Sequence, residues 1–239
     1  MINIEEITNT IINDDCMNIL KNLPDKCIDL VLTDPPYEVD SHGGKSTQKG
    51  LGTRANNLRD NIRFVSDGFD YDSIFNEFIR ICKKINLYIF CSNSQISKIM
   101  SFFEERGYST TLLVWHKTNA IQLSNGTYHS NLEFIVCVRE KGCCFNDLRI
   151  EEKSKIIQMP YPIGDRLHPT QKPVELIQKL LRIKSNENDL ILDCFSGSGT
   201  TAIACHRLKR RFICIEKDKE YWQASVKRLE EEQRQGLLF

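Results

Sequence analysis

Asp189-Leu190-Ile191-Leu192-Asp193-Cys194-Phe195-Ser196-Gly197-Ser198-Gly199-Thr200-Thr201 runs an apolar strand into a Gly-x-Gly turn, and a helix over Thr201–Leu208 is expected to follow. Glycine lets a backbone approach a ligand closely, and a helix N-terminus presents free N–H groups to negative charge. A second apolar run, Arg211–Ile215, ends at Glu216, where a carboxylate can accept from both hydroxyls of a ribose. The stretch therefore reads as a strand–turn–helix–strand unit for an adenosine-like cofactor. Gly197-x-Gly199-x-x-Ala202 also meets the loose dinucleotide fingerprint, so a nicotinamide or flavin enzyme competes at this point.

Outward from that unit, apolar runs and breakers alternate. Strands are expected at Ile28–Thr33, Leu87–Cys91, Thr110–His116 and Leu132–Val138. Tyr71–Lys84 carries Ile74, Phe75, Phe78, Ile79 and Ile81 at the spacing of an amphipathic helix. Further helices are expected at Gln95–Arg106, closed by Gly107, from Pro173 to Lys184, and from about Lys219. The alternation predicts an α/β fold, a mostly parallel, doubly wound sheet with both faces covered. Ligands then gather at the carboxyl ends of the strands.

At one such end stands Asp34-Pro35-Pro36-Tyr37. Two prolines make a rigid turn that lacks backbone donors, so its carbonyls are free to accept. A carboxylate, a carbonyl and a ring face within a few ångströms suit a planar ligand with an exocyclic amine, such as a flipped nucleobase. An ordinary strand-ending turn is the plainer reading of the four residues by themselves.

Taken together, Asp34–Tyr37 and Phe195-Ser196-Gly197-Ser198-Gly199-Thr200 resemble the amino-methyltransferases of DNA, which move a methyl from S-adenosylmethionine to a base amine. His168-Pro169-Thr170-Gln171-Lys172-Pro173, Asp14-Asp15-Cys16, Trp115-His116-Lys117-Thr118-Asn119 and Asn131-Leu132-Glu133 are similar to further motifs of that family, from about residue 11 to 222. Asp14 departs from its more usual glycine. The catalytic tetrapeptide precedes the cofactor loop, a permuted order that resembles the β group, mostly adenine-N6 enzymes with some cytosine-N4 enzymes. Cytosine enzymes more often carry serine where Asp34 stands, which favours adenine.

The resemblance implies a Rossmann-like methyltransferase fold in a single catalytic domain over 1–239, with target-recognition insertions at about 38–70 and 117–166. It implies catalysis by Asp34, Pro35, Pro36 and Tyr37. Asp34 and the Pro35 carbonyl would accept the two N–H bonds of the amine, and Tyr37 would stack on the base. It implies S-adenosylmethionine contacts from Asp15, Cys16, Asp34, His168, Thr170 and Lys172, and from Asp193, Phe195, Ser196, Gly197, Ser198, Gly199 and Thr200 around the loop. Glu216 and Lys217 complete that set. Within it, Glu216 takes the ribose, Asp15 the adenine amine, and Thr200, the loop N–H groups and Lys172 the methionine carboxylate.

Charge fits a DNA partner once its distribution is considered. The formal net charge is zero, yet Lys45, Lys49, Arg54, Arg59 and Arg63 face only Asp60 between Ser41 and Arg63. This glycine-containing stretch reads as a loop that closes on phosphates of double-stranded DNA, with Lys117 as a further contact. Gly43-Gly44-Lys45-Ser46 is not a nucleotide-hydrolase phosphate loop, because Val39 occupies the position of that pattern's first glycine. Ten cysteines contain no Cys-x-x-Cys, and Cys27, Cys91, Cys137, Cys194 and Cys214 lie in or beside apolar runs, so buried free thiols and no metal are expected. No run approaches a membrane span and the start shows no signal-peptide pattern, so a cytoplasmic protein is expected. A homodimer is left open.

The closing Gln235-Gly236-Leu237-Leu238-Phe239 resembles the short peptide by which bacterial replication proteins engage the sliding clamp. Packing of this tail on its own domain is the alternative. For the whole chain, cytosine-N4 methylation, a nicotinamide oxidoreductase, a non-catalytic DNA-binding module and methylation of a protein or RNA amide compete. The oxidoreductase explains neither Asp34–Tyr37 nor His168–Pro173.

Overall fold

The computed structural model describes residues 2–37, 70–120, 128–162 and 171–235. The basic stretch with Lys45, Lys49, Arg54, Arg59 and Arg63, together with His168, Thr170 and residues 236–239 of the clamp-like tail, lies outside the described residues.

In chain order the elements are α1 (Ile4–Ile7), β1 (Thr10–Ile12), α2 (Cys16–Leu20), β2 (Leu30–Thr33), α3 (Tyr71–Ile81), β3 (Asn86–Cys91), α4 (Ile96–Glu104), β4 (Ser109–Lys117), β5 (Leu132–Arg139) and β6 (Ile156–Met159). There follow α5 (Val174–Lys184), β7 (Leu190–Asp193), α6 (Thr200–Arg207), β8 (Arg211–Ile215) and α7 (Lys219–Gln235). The described strands form one eight-stranded sheet in the order β1-β8-β7-β2-β3-β5-β4-β6. Every neighbouring pair is parallel except β3–β5 and β5–β4.

Both faces of the sheet are covered, so its central strands are apolar throughout and successive residues enter opposite cores. Leu30 and Leu32 pack with α5 and α6, whereas Val31 between them packs with α2, α3 and α4. Along α3 the buried face is Tyr71, Ile74, Phe75, Phe78 and Ile81, and Phe75 meets Phe102 of α4 edge-on with ring centroids 5.1 Å apart. From the centre, β7 leads outward to β8 and β2 leads the opposite way to β3. That reversal opens a crevice beyond the carboxyl ends of β2 and β7, where Asp34 and the glycine turn stand.

The structure shortens some expected elements and adds others. β2 begins at Leu30 because Ile28 makes an isolated bridge to Cys82 instead. α3 stops at Ile81, where Cys82 turns to an extended ψ of 134°. α4 is preceded by a 3₁₀ turn, Asn93–Gln95, that carries a Ser92–Gln95 capping box. The short strands β1 and β6 were not expected, since Ile11 and Ile157 are their only buried residues and give no run to read. The region 117–166, expected to carry a target-recognition insertion, contains the expected strand β5 and the added strand β6.

Candidate active site

Asp34 follows β2 directly, and the Pro35-Pro36 turn is clamped from behind. The Pro36 carbonyl accepts from the Tyr71 hydroxyl and, at 3.2 Å, from Gln95 Nε2. Gln95 Nε2 also donates to the Tyr71 hydroxyl at 2.6 Å. The helix start at Tyr71 and the capping box at Gln95 thus hold the Asp34–Tyr37 turn. No described residue donates to the Pro35 carbonyl.

Asp34 ends a chain of alternating charges. Lys172 Nζ lies 2.5 Å from Asp34 Oδ2 and 3.2 Å from Glu133 Oε2, and Lys117 Nζ lies 2.9 Å from Glu133 Oε1. Burial raises the Asp34 pKa, Lys172 opposes that rise and Glu133 adds to it, leaving it above the usual carboxylate range. Burial alone would lower Lys172, but Asp34 and Glu133 outweigh it and hold its pKa up. Burial raises Glu133 as well, and the charges of Lys172 and Lys117 bring it below its ordinary value. Wedged between two carboxylates, Lys172 stays an ammonium, and its charge favours the ionised form of Asp34 against the burial that opposes it. Asp34 Oδ1 and the Tyr37 hydroxyl are both buried without a well-formed hydrogen bond to a described residue, yet the phenol lies near enough to the carboxylate to lower its pKa, and a base amine entering between them would take that place. Burial and the Asp34 charge push the Tyr37 pKa far up, so its phenol is neutral.

This chain gives two of the expected contact lysines partners within the protein. Lys172 was expected at a methionine carboxylate, yet its side chain is 7% exposed and occupied by Asp34 and Glu133. Lys117 was expected on phosphates, yet it is bound to Glu133 and lies over the Trp115 and Tyr161 rings.

The glycine turn is braced largely by its own hydrogen bonds. Ser196 N–H donates to the Ile215 carbonyl at 3.0 Å, Gly197 N–H to Glu216 Oε2 at 2.8 Å and Gly199 N–H to the Ser196 carbonyl at 2.8 Å. The N–H groups of Ser196, Gly197 and Gly199 are thus engaged within the protein. Asp193, also expected to contact the cofactor, is a buried latch beneath the turn. Its Oδ1 accepts from Thr33 and from Phe195 N–H, each at 3.1 Å, and its Oδ2 from Thr201 at 2.6 Å. Burial, against those hydrogen bonds, raises its pKa to about 6. Gly199, at φ 74°, makes room for a helix: an added Cβ would lie 3.0 Å from Ser225 Cβ of α7.

The turn nevertheless has a ligand-facing side. Ser196 Oγ is buried without a partner among the described residues. Glu216 is half-buried at the end of β8, and burial lifts its pKa. Asp15 caps α2 by accepting from Met17 N–H at 3.0 Å and pairs with Lys217 at 2.9 Å, which lowers its pKa. Since β1 and β8 are neighbours, Asp15 and Glu216 rim the same end of the sheet, while Cys16 is buried in the core. Thr200 Oγ1 accepts from Arg228 Nη1 at 3.2 Å, and the same guanidinium nitrogen reaches the Ser198 carbonyl at 3.0 Å. Among the described residues no cluster of three or more His, Cys, Asp or Glu is placed to hold a metal ion.

Glu133, Tyr71, Gln95 and Arg228 had no assigned role in the sequence reading. The Ser92-x-x-Gln95 capping pattern was legible. Nothing in the charged run around Arg228 marks it.

This geometry has relatives. A DNA methylase family of the N6/N4 type matches residues 28–227. The type II methyltransferase M.HinfI of Haemophilus influenzae is 27% identical over 254 residues, covering 96% of this chain and 70% of the relative. The type II methyltransferase M.HpaI of Haemophilus parainfluenzae is 29% identical over 240 residues, covering 89% and 71%. The M1.HpyAVI–SAM complex superposes with a TM-score of 0.67 at 29% identity, over 92% of this chain and 98% of that one. The cytosine-N4-specific PvuII DNA methyltransferase, at 16% identity and a TM-score of 0.66 over 94% and 90%, shares the fold.

Proposed function

The chain belongs to the N6/N4 DNA methylase family, as a site-specific methyltransferase acting on double-stranded DNA, and from that premise we propose that its target atom is N6 of adenine. The observation that carries the reading is the unpartnered, buried Asp34 Oδ1 beside a Pro35 carbonyl that no described residue engages. An exocyclic amine has two hydrogens, and these two acceptors match them. Aspartate rather than serine at the head of the tetrapeptide supports adenine over cytosine.

S-adenosylmethionine, when bound, supplies a methyl already activated on a sulfonium. The residues present fit it. Ser196 Oγ offers a buried hydroxyl in need of a partner, and the Glu216 and Asp15 carboxylates rim the same turn to take the ribose and the adenine amine. The catalytic turn then positions the base. Asp34 Oδ1 accepts one amine hydrogen and the Pro35 carbonyl the other, drawing the nitrogen toward tetrahedral geometry and exposing its lone pair. The amine proton becomes acidic only after the methyl arrives, so Asp34 need not be a strong base to take it at Oδ1. Tyr37 stacks on the flipped base, worth about 1–3 kcal/mol by comparison with other base–aromatic stacks. Recognition of the sequence context falls to the connections between Glu38 and Arg166.

The test is product analysis. Duplex DNA methylated by the purified protein and digested to nucleosides should yield N6-methyladenine. A product consisting of N4-methylcytosine alone would overturn the adenine assignment and leave the family intact.

A further inference from the structure

We propose that Glu133 is a positioning residue for methyl transfer: as the second carboxylate on Lys172 it fixes the ammonium against Asp34 Oδ2 and so reserves Oδ1 for the target amine. The inference rests on the reading of Asp34 as the acceptor of that amine.

A buried lysine beside a single carboxylate can lie between both oxygens and satisfy either. Here Lys172 is instead shared, at 2.5 Å from Asp34 Oδ2 and 3.2 Å from Glu133 Oε2. Glu133 is itself held at Oε1 by Lys117, 2.9 Å away, and its side chain is 16% exposed. Lys117 lies over the Trp115 and Tyr161 rings, and Trp115 Nε1 is tied to the Met159 carbonyl at 2.9 Å, so the far end is anchored on β4 and β6. Asp34 thus reaches the rigid sheet through Lys172, Glu133 and Lys117, across three separate segments of chain. Two carboxylates and two ammoniums balance, which lets the chain stay buried and charged.

The titratable and charged groups facing Asp34 are Lys172, Glu133, Tyr37 on its own turn, Cys91 on β3 and Asp193 on β7. Of these Lys172, and less strongly the Tyr37 hydroxyl, lower its pKa and Glu133 raises it. Removing each charge therefore moves the acid limb of the reaction in opposite directions.

The experiment is the single-turnover rate of methyl transfer against pH, on the full chain with duplex DNA and saturating S-adenosylmethionine. Glu133→Gln should lower the plateau rate about 10- to 100-fold, the scale of a misplaced catalytic group. It should also shift the acid limb to lower pH, with S-adenosylmethionine affinity kept within about threefold. Lys172→Met should shift the limb to higher pH. Glu133→Asp, which keeps the charge, should recover part of the rate with its limb at the wild-type position. A Glu133→Gln plateau within about threefold of wild type overturns the proposal, and so does a slowed variant whose acid limb does not move, the signature of a structural role. Should Glu133→Gln not fold, Lys117→Met perturbs the chain from its far end, and an unchanged rate with an unchanged limb again overturns it. Asp34→Asn is the control for the underlying reading. If it transfers methyl at the wild-type rate, that reading falls; if it is inactive while Glu133→Gln is normal, only the role of Glu133 falls.

Discussion

Asp193 is a buried carboxylate and Asp34 a half-buried one, both at strand ends, and what separates them further is what is left unpaired. Asp193 has its oxygens filled by Thr33, Phe195 N–H and Thr201, whereas Asp34 keeps Oδ1 open. Asp34→Ala should therefore lower methyl transfer about 10²–10⁴-fold, the usual worth of a catalytic acid–base group, while circular dichroism and S-adenosylmethionine binding stay near wild type. Near-normal methylation of DNA by this variant would show that another group receives the amine. Asp193 should instead be visible in stability. Its folded pKa of about 6 exceeds the ordinary value of 3.8, so in that window the folded state keeps a proton that the unfolded state has lost. Stability should then fall as pH rises from about 4 to about 6, by on the order of 3 kcal/mol from this group. Thermal melts across that range should show a shallower dependence in Asp193→Asn, and parallel curves would disprove the assignment. The sequence displayed both aspartates at strand ends. Partners from elsewhere in the chain, Thr33 for Asp193 and Lys172 for Asp34, distinguish the carboxylate that is filled from the one with an open oxygen.

At the scale of elements, the Asp34–Tyr37 turn is held by the starts of two helical segments, and the glycine turn by α7. Gln95→Ala should release the Pro36 carbonyl and the Tyr71 hydroxyl, removing roughly 1–3 kcal/mol of stability and slowing transfer more than it weakens cofactor binding. Equal loss in both, or in neither, would speak against a specific hold on the turn. Two glycines make a paired test. Gly107, at φ 81°, closes α4 into open space, so Gly107→Ala should lose about 1–2 kcal/mol for the left-handed backbone alone. Gly199→Ala should lose that and more, since its Cβ would meet Ser225 of α7 at 3.0 Å. Denaturant midpoints of the two variants compare them directly, and equal losses would mean that α7 gives way freely. Long amphipathic helices and continuous apolar strands were legible because their periodicity extends over many residues. β1 and β6, with one buried residue each, owe their strand state to neighbours already in the sheet.

Across the whole molecule, the sheet order sets the glycine turn after β7 beside the Asp34–Tyr37 turn after β2. Replacing Lys117–Ser130 with the corresponding segment of a relative of different specificity should change the methylated site or abolish binding, read by sequencing modified bases. An active chimera with an unchanged site would place recognition elsewhere. The substitution should keep Lys117, whose pairing with Glu133 belongs to the ion chain. By itself the sequence determined the α/β class, the covered parallel sheet and the two chemical turns, because buried strands, helical faces and rigid Pro or Gly turns are written in contiguous residues. Only the tertiary structure decided what Lys172, Lys117 and the Ser196 and Gly197 N–H groups touch. Their partners come from other strands and turns, and a charge or a donor has no readable role until the group that neutralises or accepts it is in place beside it.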